Sequence, residues 1–264
     1  MPLRLNIFET MIKVILKRGR EESLLRFHPW VFSGAIAEVQ GKPAEGDIVS
    51  VNASDGTLLA YGHYQVGSIA VRVLSFDDSA LRPDFWENML ARALEVRVAC
   101  GLHGSADTNC YRLVHGEGDN LPGLIIDYYD GVCVLQAHSV GMFRAKKQIS
   151  DALQNVYGME LKAVYDKSSG TAPYKAGLEL IDGYMYRRGD FKENELAVLE
   201  NGNQQLLGYI VGVGLLFPAG FGIADGDGLR VIHSLIMEAD IIRFRHSGLL
   251  VVETIGMLEP RVGD

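Results

Sequence analysis

The sequence predicts an α+β protein: a small β-barrel over residues 11–75, then a mixed strand and helix unit over 76–203, then a tail, 204–264, to which the pattern assigns no fold. Three observations carry this reading. Short strand-like runs separated by turn residues at close spacing fill the chain from Met11 to Leu74, the pattern of a small barrel. Between Asp84 and Cys100 the apolar spacing becomes helical. After Gly212 a glycine-rich run follows that no strand, loop and helix alternation frames.

Taken in order, Met1 to Thr10 does not join the alternation that begins at Met11. Ile12 to Lys17 reads as a first strand and Glu21 to Phe27 as one or two helical turns. Pro29 should end them, because the residue before a proline is pushed out of the helical region. Trp30 to Val39 returns to strand. Glu45-Gly46-Asp47 turns into a strand to Val51, Asp55-Gly56 is a hairpin signal before Thr57 to Tyr64, and Ser68 to Leu74 closes the set. In the helix that follows, Phe85, Met89, Leu90, Leu94, Val96 and Val98 supply the apolar stripe, with Asp84 as expected N-cap and Gly101 past the end. Apolar runs around Cys110 to Val114, Leu124 to Tyr129 and Val132 to Gln136 read as strands, Met142 to Tyr157 as a helix, and Val164 to Lys167 as a strand.

Charge and cysteine usage narrow the function classes. The chain of 264 residues has 25 basic and 33 acidic side chains, so any contact with nucleic acid must be local. No apolar run of about 18 residues exists to span a bilayer, and no signal peptide is legible at Met1 to Thr10. Cys100, Cys110 and Cys133 are an odd number without paired metal-ligand spacing, which points to free thiols in a reducing cytoplasm and to no metal.

One stretch departs from the acidic average. Lys17 to Ala35 holds Lys17, Arg18, Arg20 and Arg26 beside His28-Pro29-Trp30, between two strand-like runs. Cations and aromatics on one loop are the chemistry of a surface that neutralises phosphate and stacks on bases. A solvated face, partly balanced by Glu21 and Glu22, is the other reading of the same residues. Lys17, Arg18, Arg20 and Arg26 are the candidate RNA-facing cations. His28 and Trp30 either shape the loop or stack, and a Trp between Pro and Val also suits a core.

The string Arg26-Phe27-His28-Pro29-Trp30-Val31-Phe32-Ser33-Gly34-Ala35-Ile36, after Lys17 to Arg20, resembles the opening of the PUA domain in bacterial S-adenosylmethionine-dependent large-subunit rRNA cytosine-C5 methyltransferases. A second string, from Arg112 through His115-Gly116-Glu117-Gly118-Asp119-Asn120-Leu121-Pro122-Gly123 to Tyr128, is similar to that family's middle domain. The resemblance covers roughly residues 11 to 203. It implies a PUA-like RNA-binding barrel over 11–75, a strand-strand-helix-strand-strand linker domain over 76–203, and rRNA as partner, with homodimerisation through the middle domain an open option. It also places the domain start near Met11, so that 1–10 are expected to be a start-site extension. Within the second string the glycines and Pro122 serve backbone conformation. His115 reads as a hydrogen-bonded turn residue, and Glu117 and Asp119 as loop caps or contacts to the next domain rather than an acid and base pair.

Beyond Glu200-Asn201-Gly202-Asn203, which fits the family's lead-in to its cofactor domain, the resemblance ends. The run Gly212 to Gly228 does not reproduce the family's motif, and a lone Gly-x-Gly is weak ground for a cofactor loop. The expectation is a reading frame that shifts near Asn203, leaving 204–264 as a non-family tail with apolar segments at Leu206 to Phe217 and Leu235 to Ile242. No catalytic or cofactor-binding residue is assigned. The expected function is the RNA-recognition portion of an rRNA methyltransferase. The alternatives are an intact S-adenosylmethionine-dependent enzyme whose cofactor site is unrecognised or partner-supplied, and a gene fragment without a role.

Overall fold

The computed structural model describes residues 11–173, 176–192, 196–200, 203–206 and 217–218. Two compact units divide the chain, Met1–Pro218 and Ala219–Asp264, and every described residue belongs to the first. The expected start-site extension and nearly all of the tail, with its apolar segments, lie outside the described residues.

Six strands form the first sheet: β1 (Lys13–Leu16), β2 (Trp30–Phe32), β3 (Ile36–Gln40), β4 (Ile48–Asn52), β5 (Leu58–Tyr64) and β6 (Ile69–Ser75). Their order is β2-β6-β5-β4-β1-β3, so β2 and β3 are its two edges although only the 3-10 turn Ser33–Ala35 separates them in sequence. Laid flat, six strands would hold those edges about 24 Å apart. The four backbone steps from Phe32 to Ile36 reach about 14 Å at most, so the sheet must curl towards itself. Val14, Leu16, Val31, Val49, Val51, Val71 and Val73 fill the inside of the curl, and Leu24 of the short helix α1 (Glu22–Leu25) joins them.

Two expectations are corrected here. The run Trp30 to Val39 is not one strand, because Ser33-Gly34-Ala35 breaks it and sends its halves to opposite edges. Nor does Pro29 end the helix: α1 stops at Leu25, and Phe27 already has a left-handed φ of 61°.

The second sheet has the order β11-β10-β9-β8-β7, built from β7 (Cys110–His115), β8 (Leu124–Tyr129), β9 (Val132–Ala137), β10 (Ala163–Asp166) and β11 (Gly183–Arg187). Helix α2 (Phe85–Ala99) precedes it, and helix α3 (Val140–Tyr157) connects the parallel pair β9 and β10. Three strands therefore stand before the central helix, as the apolar runs predict, where the resemblance implied two. Ser139 caps α3 by accepting the Met142 N–H at 3.3 Å, whereas Asp84 precedes α2 without a side-chain cap bond. Both helices bury apolar faces in the core of this sheet, with Phe85, Met89 and Leu90 from one and Met142, Ile149 and Leu153 from the other. Tyr111, Tyr128 and Tyr157 stack there with ring centroids 4.8 and 5.0 Å apart.

A third sheet, β12 (Ala197–Glu200), β13 (Asn203–Leu206) and β14 (Phe217–Pro218), is antiparallel. Part of the span given no fold is thus paired strand. Asn109, just ahead of β7, ties β12 to the second sheet: its Nδ2 donates to Ala197 O at 2.8 Å, its Oδ1 accepts from Leu199 N at 2.7 Å, and its own N–H reaches Leu199 O.

The first two sheets meet at a tight joint. Gly46 in the turn before β4 (φ +89°) and Gly141 in the first turn of α3 approach so closely that a Cβ on Gly46 would lie 3.3 Å from Gly141 Cα. His63 of β5 packs on Gly141 and stacks on Trp86 of α2, whose indole N–H donates to Gln148 of α3 at 3.0 Å.

Candidate nucleic-acid interface

The seam where the first sheet's edges meet carries the basic stretch. Gly19 (φ +78°) allows the reversal after β1 in which Arg20 N–H bonds Lys17 O, leaving Arg18 and Arg20 exposed. Lys17 is partly engaged, since its Nζ donates to Gly34 O at 2.8 Å and its backbone N–H to Ala35 O, clasping the seam. Arg26 lies 3.6 Å from Glu22 with both side chains well exposed, a pairing worth little in water. Gly19, Arg20, Glu22, Ser23, Arg26, Phe32, Gly34 and Ala35 line an open groove here.

Beside the groove, His28, Trp30 and Phe32 stand at alternate positions and so share one side of the β2 segment. Their rings touch, His28 to Trp30 at 5.7 Å and Trp30 to Phe32 at 6.2 Å, both edge to face. His28 Nδ1 accepts the Trp30 backbone N–H at 3.2 Å. Trp30 is half-buried, and its indole N–H donates to Glu117 Oε1 at 2.9 Å, which carries it away from the core. Arg72 of β6 is the register partner of Trp30. Burial presses its guanidinium pKa down and the Glu117 charge opposes that shift.

The structure thus gathers Arg20 and Arg26 around the groove with Lys17 at its clasp, places His28 and Trp30 in the adjoining aromatic row, and sets Arg18 at the exposed turn. Sequence reasoning missed Phe32, about half exposed, and Phe27, 72% exposed. The i, i+2 spacing from His28 through Trp30 would have found Phe32. It also assigned Glu117 forwards, to capping or the next domain, whereas its carboxylate reaches back to the first sheet. Capping falls to Asp119, which accepts the His115 N–H at 2.6 Å and Arg97 Nη2 at 2.8 Å. His115 is half-buried at that turn, with Nδ1 3.4 Å from Arg112.

Cys133 is fully buried, and burial, then the Asp127 charge, pushes its thiol pKa strongly up. Cys100 is exposed, and Cys110 is half-buried with its Sγ 3.5 Å from Leu199 O. Among the described residues no group of histidines, cysteines and carboxylates could hold a metal ion, and no helix is long and apolar enough to cross a membrane. The glycine-rich run from Gly212 lies, apart from β14, outside the described residues.

Residues 14–76, which hold nearly all of this curled sheet, match the PUA-like domain family. Over a longer span the chain is similar to proteins named ribosomal RNA large subunit methyltransferase I. It is 38% identical over 198 residues to the enzyme of that name from Erwinia tasmaniensis, covering 74% of this chain and 48% of the relative. To the one from Pseudoalteromonas translucida it is 39% identical over 192 residues, 72% of this chain and 47% of the relative. The chain therefore spans about half the length of the curated relatives it matches. Two solved structures share the fold: a putative SAM-dependent methyltransferase from Streptococcus mutans, with TM-score 0.58, 17% identity and coverage of 74% of this chain and 48% of that one, and a putative methyltransferase complexed with SAH, with TM-score 0.59, 18% identity and coverage of 78% and 50%.

Proposed function

We propose that residues 11–203 form the RNA-recognition part of an rRNA methyltransferase, with a PUA-like domain over 11–75 and a linker domain over 76–203. Lys17, Arg18, Arg20 and Arg26 meet phosphates, and His28 and Trp30 form the adjoining stacking surface. The observation that carries this is the meeting of exposed cations, an open groove and a row of touching rings on one seam of an otherwise acidic protein. Cations neutralise phosphate oxygens with release of counterions, and aromatic faces accept unpaired bases. The chemistry such a surface serves, by relationship to the named methyltransferases, is methyl transfer from S-adenosylmethionine to rRNA in the cytoplasm. No described residue is given a part in that transfer.

The test is a salt titration of RNA affinity. Arg18→Glu with Arg20→Glu should weaken binding to an rRNA fragment. The slope of log K against log salt should flatten by about 0.7 for each phosphate of a single strand that is no longer neutralised. Unchanged affinity and slope would remove these residues from the interface.

A second reading, an intact enzyme holding its own cofactor, is favoured by one observation: a fold neighbour is complexed with SAH. Isothermal titration with S-adenosylmethionine separates the two. Micromolar binding supports the enzyme, and RNA binding without cofactor binding supports the recognition module.

A further inference from the structure

We infer that Glu117, contributed by the second sheet's loop, is a positioning residue that holds the Trp30 indole as a stacking face for an unpaired RNA base. This rests on the recognition role proposed above and goes beyond it by naming a residue outside the basic stretch and an unpaired strand as the ligand.

Three features of the site lead there. Trp30 lies on an edge strand, with β6 as its only paired strand. Its N–H donates to Glu117 Oε1 at 2.9 Å, a bond that fixes the ring's rotation while its edge-to-face neighbours His28 and Phe32 extend the row. Glu117 is exposed, but it stands on a braced turn. It sits in the 3-10 turn Gly116–Asp119, whose Asp119 is bonded to Arg97 of α2 and to the His115 backbone, and whose exit residue Asn120 has a left-handed φ of 57°.

The charge makes the inference sharp. A carboxylate beside an RNA-facing surface repels phosphate, so on electrostatics alone its removal tightens RNA binding. A positioning role demands the opposite, because a freed indole loses its preset orientation before it can stack. The two accounts differ in sign.

The experiment measures fluorescence anisotropy of a labelled single-stranded RNA oligonucleotide, and of the same strand annealed to its complement, with the full chain. Glu117→Ala should weaken binding of the single strand roughly five- to tenfold, the net size of one ordinary hydrogen bond, and leave the duplex nearly unaffected. Glu117→Gln keeps an acceptor and loses the charge, so it should bind at least as tightly as the unaltered chain. In a Trp30→Phe background, which lacks the N–H, Glu117→Ala should no longer weaken binding. Equal or tighter binding by Glu117→Ala, where the unaltered chain binds RNA, overturns the positioning role and leaves the recognition surface standing. No RNA binding by the unaltered chain overturns the recognition reading and this inference together.

Discussion

Buried beneath the joint, His63 is 5% exposed, and its Nδ1 has no hydrogen-bond partner among the described residues. Burial, with the Arg72 charge adding to it, lowers its pKa from 6.5 to about 4. The unfolded chain therefore takes up a proton below pH 6.5 that the folded chain refuses until about pH 4. Stability from this residue is complete above pH 6.5 and is lost as the pH falls through that window. The urea midpoint of the unaltered protein should drop between about pH 7 and about pH 5, and drop less for His63→Phe, which keeps a ring against Trp86. At this scale the sequence was legible where partners are local. Asp119 caps its own turn as its spacing suggests, whereas the bond from Glu117 to Trp30 spans 87 positions and only the fold brings the two together.

Among the elements, strands announced by turn residues were legible: Asp55-Gly56 marks the β4–β5 hairpin, and the Glu45-Gly46-Asp47 turn leads into β4. The break inside Trp30 to Val39 was not, because Ser33, Gly34 and Ala35 interrupt an apolar run without a proline or charge, and their 3-10 turn is set by the need to join two edges of one curled sheet. The third central strand, β9, was visible as an apolar run but was lost in counting the unit as two strands before its helix. Asn109 shows an element held by a side chain, since its amide supplies both a donor and an acceptor to the β12 backbone as a neighbouring strand would. Asn109→Ala leaves Ala197 O and Leu199 N without these partners. It should speed amide hydrogen exchange at Leu199 by about tenfold or more, the loss of roughly 1–3 kcal/mol of local stability. Exchange at Ile126, on the interior strand β8, should stay unchanged.

For the described molecule as a whole, the joint between its first two sheets decides whether they act as one body. A Cβ at Gly141 would fall 2.2 Å from His63 Cγ and 2.3 Å from its Nδ1, and a buried imidazole stacked on Trp86 has little room to yield. In an open helix Gly to Ala gains about 1 kcal/mol. Here overpacking of about 1–3 kcal/mol opposes that gain and should exceed it. Gly141→Ala should therefore lower the urea midpoint, while in a His63→Ala background the same change should raise it. A midpoint unchanged by Gly141→Ala alone would show that the joint has room for a methyl group.

The seam has a kinetic corollary. Its edge strands pair only with distant partners, Val31 with Val71 and Val14 with Val39, and the three residues between those edges cannot take up their turn until both pairings exist. The groove and its row of rings are thus among the last features to assemble during refolding. A nascent chain presents the cations of Lys17 to Arg26 from the outset, as loose charge, but acquires a shaped surface only after residue 75 has been synthesised. Affinity for an unpaired strand would then serve as a clock for completion of the first sheet.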